Sequence, residues 1–238
     1  MNIQTIDGIV LASRTVNEAD VISSIFTQEY GKADYMLKGL KKSRRRHLSA
    51  SSPGSMITFS FYHNEHRRVM YVNDVSVRNT PLAAAQSYRQ IVHGFYILEA
   101  VQRTSAEREA HRFVYRMLHS ALLQRGLHEY PDHLSLFFTI HLLRSHGILP
   151  FGANGAAPLS VGGESFTLTD TMNRFIREGL GLKFRQIDCE SYNTQEIQKL
   201  LFITVLYMEE YYNIEFKTKN VIFHIQEPQP SDAEPGPA

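Results

Sequence analysis

The sequence predicts a two-domain α+β protein, a five-stranded β-barrel followed by an all-α helical domain. Three observations carry this expectation. From residue 3 to 78 apolar residues recur with period two in short runs separated by turn residues. At Pro81 the pattern changes to helical spacing, which persists to about residue 225. With 238 residues, 43% hydrophobic and 21% charged, the chain can bury a proper core.

The barrel half is read in order. Ile9–Ser13 forms a first strand and Ala19–Gln28 a second. A turn through Gly31 leads to a third at Ala33–Gly39. After a long loop, Met56–Tyr62 places Ile57, Phe59 and Phe61 on one face. "HNEH" then turns into Arg67–Val77, where Val69 and Tyr71, then Val75 and Val77, alternate. Five short strands can close without exposed edges, and the oligonucleotide-binding (OB) barrel is the five-stranded case. An SH3-like barrel has a similar strand count, so the count alone leaves both open.

Beyond Pro81, Tyr88, Ile91, Val92, Phe95, Leu98 and Val101 trace one helical stripe. Thr104 and Glu107 have the spacing of a capping box that opens a second helix running to about Arg125, with Gly126 as its stop. "DHLSLFFTIHLLRSHG" gives a third helix ending at Gly147. A Gly- and Ala-rich loop, a short helix at Asp170–Leu180 and an apolar helix through Ile197, Leu200, Leu201, Thr204, Val205 and Met208 follow. The polar, Pro-rich end is expected to be disordered. The expected organisation is therefore an OB-type nucleic-acid-binding domain at 1–80, a helical domain at 81–225 and a tail at 226–238.

The formal net charge of +1 is unevenly placed. Residues 1–80 carry 11 Lys and Arg against 7 Asp and Glu, a balance of +4, and the remainder a balance of −3. Lys38, Lys41, Lys42, Arg44, Arg45 and Arg46 lie within nine residues, and no acidic residue occurs between Asp34 and Glu65. In a loop such a run could exchange places with the counterions of a phosphate backbone, or it could be a merely solvated loop. Embedded between strands, it is a poorer localisation tag. Arg14, Lys32, Arg67 and Arg68 are flanking candidates. Tyr35, Tyr62 and Tyr71 could stack bases or fill the barrel, whereas Phe59 and Phe61 read as core.

Cys189 is the sole cysteine, which excludes an internal disulfide and fits a reducing compartment. No signal peptide is read at the N-terminus, and "LLFITVL" is far short of the ~20 residues of a membrane span. The expectation is a soluble cytoplasmic protein with no membrane contact. The histidine pairs 63/66, 128/133 and 141/146 lack zinc-site spacing and companion cysteines. "GANG" and "VGGES" lack the Lys-Ser/Thr of a P-loop, and Gly152 and Gly155 read as tight-loop residues. No nucleophile elbow occurs, and Glu209–Glu210 read as the solvated end of a helix. Phe137, Phe138, Phe202 and Tyr207 read as core, although an inter-helix groove could take a short peptide. The expectation is a protein that is not an enzyme and needs no cofactor.

The segments Gly8–Leu11, Glu18–Asp20, Thr27–Lys32 and Lys38–Lys42 resemble, in order and close spacing, the opening of the bacterial RecO family of recombination mediators. The resemblance is specific over about the first eighty residues; beyond them it is mainly of length, helical pattern and "LLRSHGILP" (Leu142–Pro150). It implies an N-terminal OB barrel, a helical C-terminal domain and binding of single- and double-stranded DNA. It also implies annealing of complementary strands. The implied partners are RecR and the acidic tail of single-stranded DNA-binding protein (SSB), together loading RecA at gaps, with a nucleoid-associated location. Many members carry a four-cysteine zinc module after the Gly-x-Leu-Pro segment; region 147–169 here has no cysteine, so no zinc is expected. Other readings are a protein-interaction adaptor with little nucleic-acid affinity, an RNA-binding OB protein and an undetected hydrolase.

Overall fold

The computed structural model describes residues 2–43, 47–64, 66–124, 129–151 and 159–224. Arg44, Arg45, Arg46, the expected helix end at Arg125 and stop at Gly126, His128, Gly152, Gly155 and the tail 226–238 therefore lie outside the described residues.

Five strands close a barrel: β1 (Asn2–Thr15), β2 (Val21–Thr27), β3 (Gly31–Leu37), β4 (Met56–His63) and β5 (Val69–Asn79), ordered β1-β2-β3-β5-β4. Neighbours are antiparallel except β3 and β5, whose short parallel ladder pairs Tyr35 with Met70. This order, with the fifth strand returning between the third and fourth, is that of the OB barrel. β1 is far longer than the expected Ile9–Ser13, because it serves two partners. Its first half pairs with β4 and its second half with β2, across a bulge between Val10 and Ala12. Gly8 sits at that crossing, where an added Cβ would stand 2.5 Å from Ile25. Inside the barrel, Ile25, Tyr35, Leu37, Ile57, Phe59 and Phe61 are buried. Phe59 and Phe61 are core as expected. Tyr35 is core too, edge-on to both, which corrects its candidacy as an exposed stacking surface.

The helical region consists of α1 (Tyr88–Thr104), α2 (Arg112–Leu123), α3 (Pro131–Ser145), α4 (Asp170–Gly181), α5 (Thr194–Tyr212) and α6 (Lys219–His224). α3 is buried nearly all round and forms the centre of the bundle. The expected stripe of α5 is buried in full, with Ile203 added. The stripe of α1 differs from expectation: Tyr88 and Phe95 are exposed, and Gln90, His93, Tyr96 and Ile97 are buried. The reason is that α1 faces both the barrel and α3, so polar side chains with partners on α3 can be buried. His93 Nδ1 bonds Ser135 Oγ at 2.8 Å, and the Tyr96 hydroxyl bonds Thr139 Oγ1 at 2.7 Å. The capping box also lies elsewhere than expected. Ser87 and Gln90 form it at the start of α1, Thr104 bonds back to the Ala100 carbonyl, and His111 caps α2. Within the Gly-rich loop, Leu159–Val161 and Glu164–Phe166 form a hairpin, β6 and β7, turning on Gly162 and Gly163 at positive φ.

Barrel and bundle share one core. Ile9, Leu11, Phe26 and Met56 leave the barrel and join the helical cluster, where Phe26 stacks on Tyr115. Beside this seam Arg108 N donates to the Lys32 carbonyl at 2.8 Å, and Lys32 Nζ donates to the Gln102 carbonyl at 2.7 Å. Gly31, at φ 61°, meets the Glu109 backbone so closely that a Cβ would stand 1.9 Å from its carbonyl oxygen. Gly31→Ala is expected to destabilise the protein by roughly 2 kcal/mol or more through strain and overpacking. That corresponds to a fall in Tm of about 4–8 °C, readable by calorimetry; an unchanged Tm would show the seam to be slack.

Burial holds His93 neutral, its pKa pushed down to about 4, and pushes His133, His141 and His146 down as well. The unfolded chain takes up these protons near pH 6.5 while the folded one resists them. Their contribution is therefore complete above about pH 6.5 and is lost as pH falls below it, at up to about 1.4 kcal/mol per pH unit for each histidine. Urea midpoints are expected to drop from pH 7 to pH 5; a flat profile would contradict this.

Candidate nucleic-acid interface

Strand register gathers a row on the outside of the barrel. Arg14 pairs with Ile22, Ile22 with Met36, Met36 with Tyr71 and Tyr71 with Tyr62, crossing all five strands. Register partners present their side chains on one face, so the row is a continuous surface with an apolar floor and two tyrosines. Tyr62 is 38% exposed. Tyr71 is half-buried, with Lys38 Nζ 4.5 Å and the Arg67 guanidinium 5.3 Å from its ring centre. Lys38, Lys41, Lys42, Arg67 and Arg68 are all exposed, and Lys38 and Arg67 are the ones that meet the row, at Tyr71.

The start of the basic connection is fixed to the turn between β1 and β2. Asn17 Oδ1 accepts from the Ala19 and Asp20 amides, making an Asx turn. Asp20 Oδ1 accepts from the Gly39 amide at 2.7 Å, and Lys41 N donates to the Ala19 carbonyl. The Gly39 amide, then Asn17 and Lys38, hold the Asp20 carboxyl below its usual range. Gly39 takes φ 64°, which reverses the chain into the short 3-10 turn Leu40–Lys42. Two motifs twenty residues apart thus make one structural unit.

The cations are not uniformly placed. Arg14 lies 3.7 Å from Asp34 and Lys42 lies 3.1 Å from Glu18, exposed pairs of ~0–1 kcal/mol that a phosphate can displace. Lys32 is different: burial lowers its pKa against the pull of Glu107 and Asp34, and its ammonium is spent on the seam.

A second concavity lies between helices. Phe113, Met117, Phe137, His141 and Phe184 line a groove of about 560 Å³ with the exposed cations Arg116, Lys183 and Arg185 on its rim. Past Phe184 and Arg185 it continues into a space of about 540 Å³ reaching Tyr130 and Cys189. Phe137 therefore lines the groove as well as the core, Phe138 is core, and Phe202 is 37% exposed. Phe184, Arg116 and Lys183 carry no sequence signal, since they converge from segments nearly seventy residues apart. Burial pushes the Cys189 thiol up to about 11, leaving it protonated and unreactive at neutral pH.

Two further clusters bear on chemistry. Ser135, His93 and Asp132 align like a hydrolytic triad, with His93 Nε2 3.5 Å from Asp132 Oδ1, but Ser135 and His93 are wholly buried. Asp132 instead takes the Arg89 guanidinium, so the cluster is an internal tie between α1 and α3. At the end of α5, Glu209 accepts from Phe216 N and Lys219 Nζ, and Glu210 accepts from Gly162 N. Glu210 is exposed, as expected of a solvated helix end, whereas Glu209 is only partly exposed and ties α5 to the segment that follows it. Among the described residues no three metal-binding side chains converge, and no helix is long and apolar enough to cross a membrane.

Asp20→Ala is expected to release the basic connection, so that trypsin cleaves after Lys38, Lys41 and Lys42 several-fold faster at unchanged Tm. Identical digestion kinetics would remove the staple from the account.

Residues 1–81 match the family model described as "Recombination protein O N terminal". Among curated proteins, the chain is 22% identical over 144 residues to the DNA repair protein RecO of Prosthecochloris aestuarii, covering 60% of this chain and 54% of that protein. It is 29% identical over 127 residues to that of Chloroherpeton thalassium, covering 52% and 49%, and 24% identical over 144 residues to that of Syntrophus aciditrophicus, covering 60% and 56%. The chain spans about half the length of the curated relatives it matches.

Proposed function

We propose that this chain, which its similarities support as a RecO-family protein, is a DNA-binding mediator of recombinational repair acting without bond-making chemistry. It holds single- and double-stranded DNA against the barrel, anneals complementary strands and, with RecR, helps RecA load onto SSB-coated single strands. The observation that carries the reading is the Lys38–Tyr71–Arg67 cluster beside the stapled basic connection. Cations there exchange counterions with phosphate while Tyr62 and Tyr71 offer ring faces to bases. Screening of the phosphates lowers the repulsion between two strands, the physical requirement for annealing. Lys41, Lys42, Arg44, Arg45, Arg46 and Arg68 extend the grip, and Arg14 joins it by exchanging Asp34 for phosphate.

The apolar groove with its cationic rim supports the second partner, the acidic and apolar tail of SSB. It equally favours the adaptor reading, in which the groove does the binding and the barrel is a platform. The proposal includes no zinc. What supports this is that region 147–169 offers no cysteine, while Leu159 and Val161 are buried and Glu210 and Tyr207 tie the segment to α5.

One titration separates the readings: anisotropy of labelled single-stranded DNA across salt, with and without an SSB-tail peptide. Replacing Arg44, Arg45 and Arg46 by Gln is expected to reduce the salt slope by about 2, near 0.7 per lost phosphate contact, and to slow annealing. Peptide binding should survive that change and weaken instead on Arg116→Ala with Lys183→Ala. Tight peptide binding with negligible DNA affinity at physiological salt would favour the adaptor, and an unchanged slope with intact annealing would sink the basic run as the DNA contact.

A further inference from the structure

We infer that Arg108 is a positioning residue, the latch by which the helical region holds the β4–β5 turn, and with it Arg67, in place beside Tyr71 for a nucleic-acid strand. The inference rests on the reading of this barrel face as the nucleic-acid interface.

Among the described residues, two other than glycine have positive φ, Arg108 at 61° and Asn213 at 51°. Asn213 has an ordinary reason, since it closes α5 in the left-handed conformation helix ends favour. Arg108 caps nothing. α1 ends at Thr104 with Ser105 as its cap, and α2 opens at Arg112 with His111 as its cap. A left-handed arginine is strained by its own Cβ, and such residues persist where the surroundings over-determine them.

Here the surroundings are the seam. Arg108 N donates to the Lys32 carbonyl, and the next residue, Glu109, sets its backbone into the space Gly31 leaves open. With the backbone gripped on both sides, the side chain is directed across the barrel edge, and Nη2 donates to the Arg67 carbonyl. The Arg67 guanidinium in turn lies over Tyr71, a member of the cross-barrel row. A fork on a long stem can span from an inter-helix connection to a hairpin turn and still donate at its end. Among the described residues of the turn, His66, Arg67 and Arg68 are exposed, and their backbone bonds are local ones to Asn64: His66 N to its Oδ1 at 3.0 Å and Arg67 N to its carbonyl at 3.3 Å. The strained backbone of the helical region thus sets the aim of a cation on the barrel.

The competing explanation is that Arg108 meets the strand itself, and the test is built to tell them apart. Arg108→Gly keeps the left-handed backbone and its amide while removing the fork; Arg108→Lys keeps the charge and loses the fork. Each is made in the full chain, alone and with Arg67→Ala. Amide exchange of residues 66–68 is followed without DNA, and binding of a labelled oligo-dT is followed across salt. For Arg108→Gly the expectation is an unchanged or higher Tm and exchange at 66–68 several-fold faster. Oligonucleotide affinity should fall about three- to tenfold, the span of one lost hydrogen bond. With Arg67→Ala already present the same change should shift affinity by less than about twofold, because a latch has nothing left to aim. Arg108→Lys should reproduce the loss. The latch is overturned by unaltered exchange in Arg108→Gly, by additive losses in the double variant, or by full rescue with Lys. If the wild type binds no oligonucleotide even at low salt, the interface reading falls, and the latch is then upheld or rejected by the exchange data alone.

Discussion

The constraint on which the rest depends is that the barrel cannot be finished by its own residues. Ile9, Leu11, Phe26 and Met56 project outward from strands whose inner face is already full. Each would leave a large apolar side chain in water, roughly 1.5–3 kcal/mol apiece if exposed. The helices supply the cover, so the two halves of the chain fold as complements. The seam that results is closely fitted: Gly31 is filled by the Glu109 backbone, and a Cβ added at Gly54, in the barrel half, would stand 2.9 Å from Leu82 of the helical half.

Everything on the charged face inherits that rigidity. β3 carries Lys32 into the seam, and just past its end Lys38 reaches Tyr71. The β1–β2 turn fixes the start of the basic connection through Asp20 and Gly39, and the helical region reaches the opposite edge through Arg108. A flexible, strongly hydrated run of lysine and arginine would lose much of its binding energy to ordering. Fixing its flanks before the ligand arrives reduces that loss without adding a contact. The same bundle that braces the barrel presents, on the α2–α3 side, a separate cation-rimmed groove. The molecule thus presents two surfaces of different chemistry, a cationic barrel face around Tyr71 and an apolar groove with a cationic rim.

Much of this was legible in the sequence. The strand count, the change of period at Pro81, the buried stripe of α5 and the helix at Asp170 follow from local periodicity, which burial on one face imposes residue by residue. Where two faces are buried the period blurs, so the pattern of α1 points Tyr88 and Phe95 inward and gives no sign of the buried His93 and Tyr96. The first half of β1 is illegible for a related reason: Asn2–Asp7 is held by pairing to β4 and carries no strong alternation of its own. A polar residue whose partners lie beyond its own helix, such as Glu209 with Phe216 N and Lys219, reads as solvent-facing until the partners are seen.

The sequence by itself determined the class of fold, the concentration of positive charge in the first eighty residues and the order of the motifs shared with the RecO resemblance. It did so because composition and periodicity are local properties. Only the tertiary structure decided what the motifs do. Gly31–Lys32 belongs to the joint with the helices, Asp20–Gly39 to a staple that fixes the basic connection, and Lys38 with Arg67 to the ring of Tyr71. Those assignments depend on hydrogen bonds and packing between residues that the chain keeps far apart and only closure of the barrel against the bundle brings within reach.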